Sequence, residues 1–416
     1  MSMASEADVA VEAAGRAARA GVAELRGMPA AGLDQSLLAI AARLGERAAI
    51  VLAANSDDVR AAKADGLADA FVDRLTLDEG RVDAMAGQLR ALAEVATEPA
   101  RTRIRDLPDG LELQEWRRPV GVIGANFEAR PNVVVDIASQ LIKSRNGGVL
   151  RTGASAIRSA AVLIDEVVGP AMAASGLDPA AIQLLRVPGR DSAVALVQQP
   201  RLIPLVILRG SGESTRALAR EAALNGVRTL AHADGGAVIY IDQSADSELA
   251  LRLIESSLDR LGVCNRLNLL LVQREIWDET VPAVTALADK LGVAVSLPPH
   301  GHALGHEWAL DGGAEATITL APAGNSAEAA EIANRETSGL AASIVASDAG
   351  AAATFLDAYA GTGVFWNATP RLLDGFKLLS VPETGINIDV VPGPRGPVTF
   401  RDLYLRQYAV VPKASL

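Results

Sequence analysis

Apolar positions change their period along this 416-residue chain, and each change predicts a different architecture. From residue 5 to 98, Ala and Leu recur at helical spacing over 9–25, 33–54 and 79–96, which predicts a helical packing layer with no catalytic pattern. Thr76-Leu77-Asp78-Glu79 fits a capping box led by Thr76. Residues 101–118 break that period. Ile104, Leu107, Leu111 and Leu113 flank the turn signal Pro108-Asp109-Gly110, so a β-hairpin projecting from the body is expected. From Val120 short apolar runs alternate with helical stretches. Strands are expected at 120–123, 148–151, 182–187, 205–208 and 238–241, with helices at 133–143, 154–174, 191–197 and 214–225. That alternation implies βαβ crossovers and a mostly parallel sheet covered on both faces. After Asp242 a second α/β unit follows. Its helices fall at 246–261 and 277–291, and its strands at 269–272, 293–296, 317–320, 343–346 and 363–366. A Pro/Gly-rich loop, 390–397, then leads to an alternating segment, 403–411, that reads as an exposed edge strand. No internal repeat is present.

Composition narrows the function class. A net charge of −11 argues against a binder of nucleic-acid backbones. One cysteine allows no internal disulfide. The first residues are acidic where a signal peptide would be basic, and no run of about 18 apolar residues occurs, so a cytoplasmic protein without a membrane span is expected.

Three stretches can carry chemistry. Cys264 stands between a helical run followed by Gly262 and an apolar strand, a junction from which a thiol can project into a cleft; inert packing is the competing reading. Glu128-Ala129-Arg130-Pro131-Asn132 follows the first strand of the parallel sheet, where α/β proteins bind ligands. Arg130 can fork onto a carboxylate or phosphate, and Asn126 or Asn132 can donate an amide hydrogen to an oxyanion. Leu208-Arg209-Gly210-Ser211-Gly212-Glu213-Ser214 is a glycine-rich strand-to-helix loop whose amides can approach a phosphate; it lacks the lysine of a P-loop, and a bare turn is an equal reading. His300, His302 and His306 lie in a proline-containing loop without a carboxylate-rich partner motif, so a solvated polar loop is expected there and no metal.

Together these stretches resemble the γ-glutamyl phosphate reductase family of the aldehyde dehydrogenase superfamily. Ala64–Leu67 through Asp73-Arg74-Leu75-Thr76-Leu77 is similar to its "aGL…DRLtL" region, and Pro119–Gly124 through Glu128–Val133 to PxGVIGxxYEARPNVT. Leu141–Asn146 with Val149–Gly153 resembles LKSGN…ILRGG, and Val263-Cys264-Asn265 resembles VCNAxETLLV. Asn367–Arg371, Glu383–Ile386 and Arg395-Gly396-Pro397 resemble NASTRF, AEIGIS and RGP. The resemblance implies an aldehyde dehydrogenase-like α/β fold of two Rossmann-like domains and a hairpin arm. Residues 1–100 and 119–242 would bind the cofactor, 243–386 would carry the nucleophile, and 101–118 with 387–416 would form the oligomerisation arm of a homodimer or homotetramer.

The same resemblance implies that Cys264 attacks an acyl phosphate to give a thioester, which NADPH reduces to an aldehyde. NADH stays open as the donor, and the kinase that makes the acyl phosphate is an implied partner. Asn126 and Asn132 would assist catalysis. Glu128, Arg130 and Asn265 would bind substrate, and Lys143, Arg151, Gly210, Ser211, Gly212 and Glu213 the cofactor. Departures stand beside the likeness. Arg145 replaces the glycine of LKSGN, and Phe127 the tyrosine of YEARPN. Residues 235–242 lose a cysteine and a histidine, Asn268 replaces a glutamate, and 337–344 lose a histidine, a threonine and an acidic residue. A site that exchanges polar groups for Leu and Ala is expected to bind a less polar acyl group, or the same one less well. A different substrate for the same chemistry is therefore the second expectation, and a non-catalytic partner of a kinase the third.

Overall fold

A computed structural model describes residues 5–187, 189–210, 212–232, 234–391 and 393–413. The first layer is helical, as the spacing predicts, with two differences. The run 33–54 belongs to two helices, Ala30–Glu46 and Ala48–Ala64, because Arg47 leaves helical geometry at φ −107°, ψ 7°. The cap of helix Glu79–Glu94 is Asp78, whose carboxylate accepts from the Arg81 N–H, while the Thr76 hydroxyl is donated back to the Val72 carbonyl. A carboxylate is the stronger acceptor for an orphan amide.

Strands β1 (Arg101–Asp106) and β2 (Leu111–Pro119) form the expected hairpin. Next come β3 (Val122–Phe127), β4 (Gly147–Thr152), β5 (Ile182–Leu184), β6 (Leu205–Arg209) and β7 (Arg228–His232), a parallel sheet in the order β5-β4-β3-β6-β7. Helix Pro131–Lys143 follows β3, with Pro131 in its first turn, where a missing N–H costs nothing.

The second sheet contains β8 (Ala237–Ile241), β9 (Leu267–Gln273), β10 (Ala294–Ser296), β11 (Thr317–Ala323), β12 (Ala341–Val345) and β13 (Gly363–Trp366) in the parallel order β10-β11-β9-β8-β12-β13. This corrects one assignment. The run 238–241 pairs with β9 and β12 rather than closing the first sheet, whose last place goes to β7. Helix Ser247–Ser257 also stops short of 261, and residues 258–266 are turns. Both sheets are apolar on both faces, as crossover helices demand; every residue of β8, β9 and β12 is buried.

The chain end returns to the arm. β14 (Gly385–Asn387) and β15 (Gly396–Val398) pair with each other, and the Ile388 N–H is donated to the Ala231 carbonyl, so this pair lies beside β7 and not in the arm. β16 (Tyr404–Pro412) runs antiparallel to β2 over its whole length. The arm sheet is β1-β2-β16, with both outer strands largely exposed. Among the described residues no helix is long and apolar enough to cross a membrane.

Candidate active site

The carboxyl ends of β3 and β6 meet the turn that precedes β9. Residues Glu128 and Arg130 leave β3, Arg209 ends β6, and Cys264 sits three residues before β9. These ends bring four charges around one thiol. Arg130 and Arg209 attract a Cys264 thiolate, and Glu383 and Glu128 oppose it. Arg130 Nε lies 2.9 Å from Glu128 Oε1, and Arg209 Nη2 lies 3.8 Å from the same oxygen. Arg209 is half-buried and donates to the Thr384 carbonyl at 3.1 Å. Glu383 accepts from the Gly375 N–H at 2.8 Å. Burial pushes the Cys264 thiol up to about 11, with the two arginines working against that rise. On its other side the cysteine packs against an apolar cluster that includes Ala237, Leu340, Ala341 and Ile386.

The cysteine turn is fixed from behind. The Gly236 N–H donates to the Cys264 carbonyl at 2.7 Å. A Cβ on Gly235 would stand 2.7 Å from that carbonyl oxygen and 2.9 Å from Cys264 Cα, both backbone atoms that cannot swing aside. Gly235→Ala is therefore expected to shift the nucleophile and lower kcat about 100-fold, the scale of an ångström-sized misplacement. A circular-dichroism spectrum like the parent's, with near-normal kcat, would refute the tight fit.

Beside it, Arg266 is fully buried and donates to the carbonyls of Glu315 and Thr317, the latter at 2.9 Å. Burial drops its pKa to about 10. Asn268 donates to the His306 carbonyl at 2.7 Å and accepts from the Trp308 N–H at 3.2 Å. Arg266 and Asn268 thus clamp the 306–317 segment to the back of the nucleophile turn. The histidine loop is more ordered than a solvated loop. His302 and His306 pack edge-on against Trp308 at 4.8 and 4.6 Å, and Ser296 Oγ meets His302 Nε2 at 2.7 Å. Among the described residues no group of three His, Cys, Asp or Glu is placed to hold a metal.

Arg130 and Asn132 also face a cleft of about 200 Å³ whose other walls carry Arg74, Arg81 and Arg260. Asn132 Nδ2 donates to Asp136 Oδ2 at 3.0 Å. Burial raises Asp136 to about 7, against the pull of Arg209 and of the Asn132 bond. Asp73 ties the cleft together, taking Arg81 and Arg260 at 2.7 Å each, which joins the helical layer to the segment leading into Cys264. Those bonds hold the Asp73 carboxyl below its ordinary value. A depressed carboxylate contributes above its unfolded pKa of 3.8 and loses that contribution as pH falls through the lower folded value. Asp73→Ala is expected to cost about 1 kcal/mol, discounted for half-exposure, and to raise KM for an anionic substrate as Arg260 is released. Thermal melts at pH 7 and below pH 3 check the first part, since the gap between parent and variant should close in acid.

The expected site residues divide. Cys264, Glu128 and Arg130 come together, with Asn132 on the adjoining cleft wall. Arg151 stands at the end of β4, next to β3. It donates to Asn126 Oδ1 at 3.0 Å, to the Gly189 carbonyl at 2.7 Å and to Ser192 Oγ at 3.3 Å. Asn126 is thus the partner of Arg151. Gly210 and Gly212 flank the entry to helix Gly212–Leu224, and Glu213 is exposed in its first turn; Ser211 lies outside the described residues. A Cβ on Gly212 would fall onto Asp234 and Arg216, which pair with each other, so backbone alone lines this approach.

Two expected residues take structural duty instead. Lys143 ends its helix at the amino edge of the sheet, is fully buried, and pairs with Asp34 at 2.5 Å under the Phe400 ring. It stands at the wrong end of the strands for a cofactor. Asn265 gives its amide hydrogens to the carbonyls of Arg371 (3.3 Å) and Leu373 (2.9 Å) and takes the Arg371 guanidinium on its oxygen, so both of its donors are committed to the fold. Arg74, Arg209, Arg260 and Glu383 are the site residues that sequence reasoning missed. Arg74, Arg209 and Glu383 lay inside quoted motifs, but nothing in their spacing pointed to a shared cleft.

Comparisons with known proteins bear on the family and the fold. A family profile described as "Aldehyde dehydrogenase family" matches residues 1–301. The γ-glutamyl phosphate reductase of Synechococcus elongatus is 32% identical over 97% of this chain and 94% of its own length. That of a Cyanothece species is 31% identical over 93% and 90%. The crystal structure of the Thermotoga maritima γ-glutamyl phosphate reductase superposes with a TM-score of 0.86 at 26% identity, over 98% of this chain and 99% of that one. An acetylating aldehyde dehydrogenase from Geobacillus thermoglucosidasius shares the fold, with a TM-score of 0.73 at 15% identity over 99% and 98%. The chain belongs to the aldehyde dehydrogenase family, and within it to the γ-glutamyl phosphate reductases.

Proposed function

We propose that the protein reduces γ-glutamyl phosphate to glutamate-5-semialdehyde, with NADPH as the donor and a thioester on Cys264 as the intermediate. The observation that carries this reading is a thiol that both Arg130 and Arg209 attract as thiolate, with Arg130 shared by a cleft that also presents Arg74 and Arg260. Such a cleft suits a substrate bearing a carboxylate and a phosphate.

Cys264 Sγ forms a bond to the acyl carbon, and the carbon–oxygen bond to phosphate breaks. The thiol proton leaves with the phosphate. Asn132 has a second amide hydrogen beyond the one given to Asp136, and with Arg130 it stabilises the tetrahedral oxyanion. When bound, the nicotinamide cofactor supplies a hydride to the acyl carbon. Collapse of the resulting tetrahedral centre breaks the carbon–sulfur bond and returns the thiolate, again under the two arginines. The cofactor site fits: backbone at Gly210 and Gly212, and Arg151 with two N–H groups left over for a phosphate or ribose. An acyl phosphate hydrolyses readily, so the kinase that makes it is the natural supplier and partner. The exposed Leu405, Tyr408 and Val410 of β16 suit a second copy of the chain; a monomer by light scattering at micromolar concentration would count against that.

The test is the reverse reaction. Glutamate-5-semialdehyde, phosphate and NADP should yield reduced cofactor. The buried Leu340 and Ala341 against Cys264 favour a second reading, the same chemistry on a less polar acyl group. Reduced cofactor from apolar aldehydes and none from glutamate-5-semialdehyde would replace the first reading by the second.

A further inference from the structure

A second concentration of positive charge lies far from the thiol, at the base of the arm. A cavity of about 550 Å³ there is walled by Arg26, Arg101, Arg117, Arg118 and Arg145. Glu98 is the carboxylate in that wall, and it already serves Arg117 and Arg401. Among the described residues, none of Arg26, Arg101, Arg118 and Arg145 has a carboxylate within ion-pair distance. Such a cluster repels itself, the more notably in a chain of net charge −11.

The guanidiniums are nevertheless held in place. Arg101 and Arg118 sit 4.5 and 4.4 Å from the centre of the Trp116 ring, and Arg117 sits 5.2 Å from that of Tyr404. Arg118 Nε donates to Gln407 at 2.9 Å, which leaves its terminal N–H groups for another acceptor. Arg145 donates to the Met28 carbonyl at 3.0 Å and stands beside the Tyr404 hydroxyl in the same wall. It does so from φ 61°, a left-handed conformation that suits glycine and that side chains rarely adopt. The arginines arrive from the end of helix Glu6–Gly27, from β1, from β2 and from the turn before β4. Donors converging from four elements match a tetrahedral, multiply charged acceptor better than a flat carboxylate.

We propose that this cavity binds a multiply charged phosphate anion, which joins the arm to the body. It is separate from the Cys264 cleft, and it does not depend on which aldehyde the protein makes. Two guanidiniums already stand against the Trp116 ring and a third against Tyr404, so both rings of the cavity are engaged by arginine and an inorganic chain of phosphates is the favoured source.

The full chain should be titrated calorimetrically with inorganic tripolyphosphate, and separately with ATP and with citrate. Tripolyphosphate should bind, more weakly as salt rises, and at least tenfold more tightly than citrate. Arg145→Gly suits the local φ, so folding is not at risk. It should weaken tripolyphosphate at least fivefold, and Arg101→Ala with Arg118→Ala at least twentyfold. ATP binding more tightly than tripolyphosphate, and equally sensitive to Arg145→Gly, would assign the phosphate to a nucleotide. No binding by the parent chain, or binding unchanged in these variants, overturns the proposal. So does the remaining outcome, in which the parent shows no binding and the double variant dissociates the oligomer, since carboxylates of a second copy would then fill the cavity.

Discussion

Cys264→Ser is expected to lower turnover by about 10⁴-fold or more while leaving NADPH binding within a factor of two. An alkoxide is far harder to form than a thiolate, and the serine ester would be a poorer hydride acceptor than a thioester. The effect must fall on the chemical step, because Cys264 packs against Ala237, Leu340 and Ile386, whereas the glycine loop and Arg151 lie on the other sheet. Single-turnover assays with the acyl phosphate, alongside NADPH fluorescence titration, separate the two quantities. Substantial turnover in the serine variant would rule out the thioester.

Arg130→Met should be the second largest change, about 100-fold in kcat/KM, the scale of one lost charge-stabilising donor. Two effects of that side chain add. In the proposed reaction it would hold the anionic substrate in the cleft, and it is the foremost influence holding the thiol down against burial. The sign follows from the second. With Arg130 gone, a thiol already pushed up to about 11 rises further, so less thiolate is present at any pH below that value. Iodoacetamide alkylation of the parent should rise with pH across the alkaline range, and in Arg130→Met the whole curve should move to higher pH. An unmoved curve with reduced kcat/KM would leave Arg130 a role in substrate binding alone.

Much of this architecture is written in local pattern. Fully buried strands such as β9 and β12 appear as unbroken apolar runs, and the 101–118 hairpin announces itself through Pro108-Asp109-Gly110. β7 escapes because Arg228, Thr229 and His232 dilute its apolar signal. β8 is recognisable as a strand, but its sheet is set by which neighbours offer unpaired backbone, and no local property carries that information. The site shows the same division. Cys264 and Arg130 stand at element ends, where a side chain is free to act. Lys143 and Asn265 look equally polar in sequence, yet Asp34 and the 371–373 carbonyls consume them. Glu383 reaches the thiol from more than a hundred residues downstream, a proximity that only the folded chain creates.

The pairing of β2 with β16 has a consequence for the order of events during synthesis. Arg118 hydrogen-bonds Gln407, 289 residues away. The hairpin therefore leaves the ribosome long before the strand that completes its sheet, and throughout that interval one edge of β2 offers unpaired amides and carbonyls to any passing chain. β16, translated much later than the hairpin, closes that edge. Removing it would leave both sheets of the body whole while exposing a sticky ribbon, so a chain truncated before Tyr404 should aggregate in the cell even where its isolated body retains secondary structure.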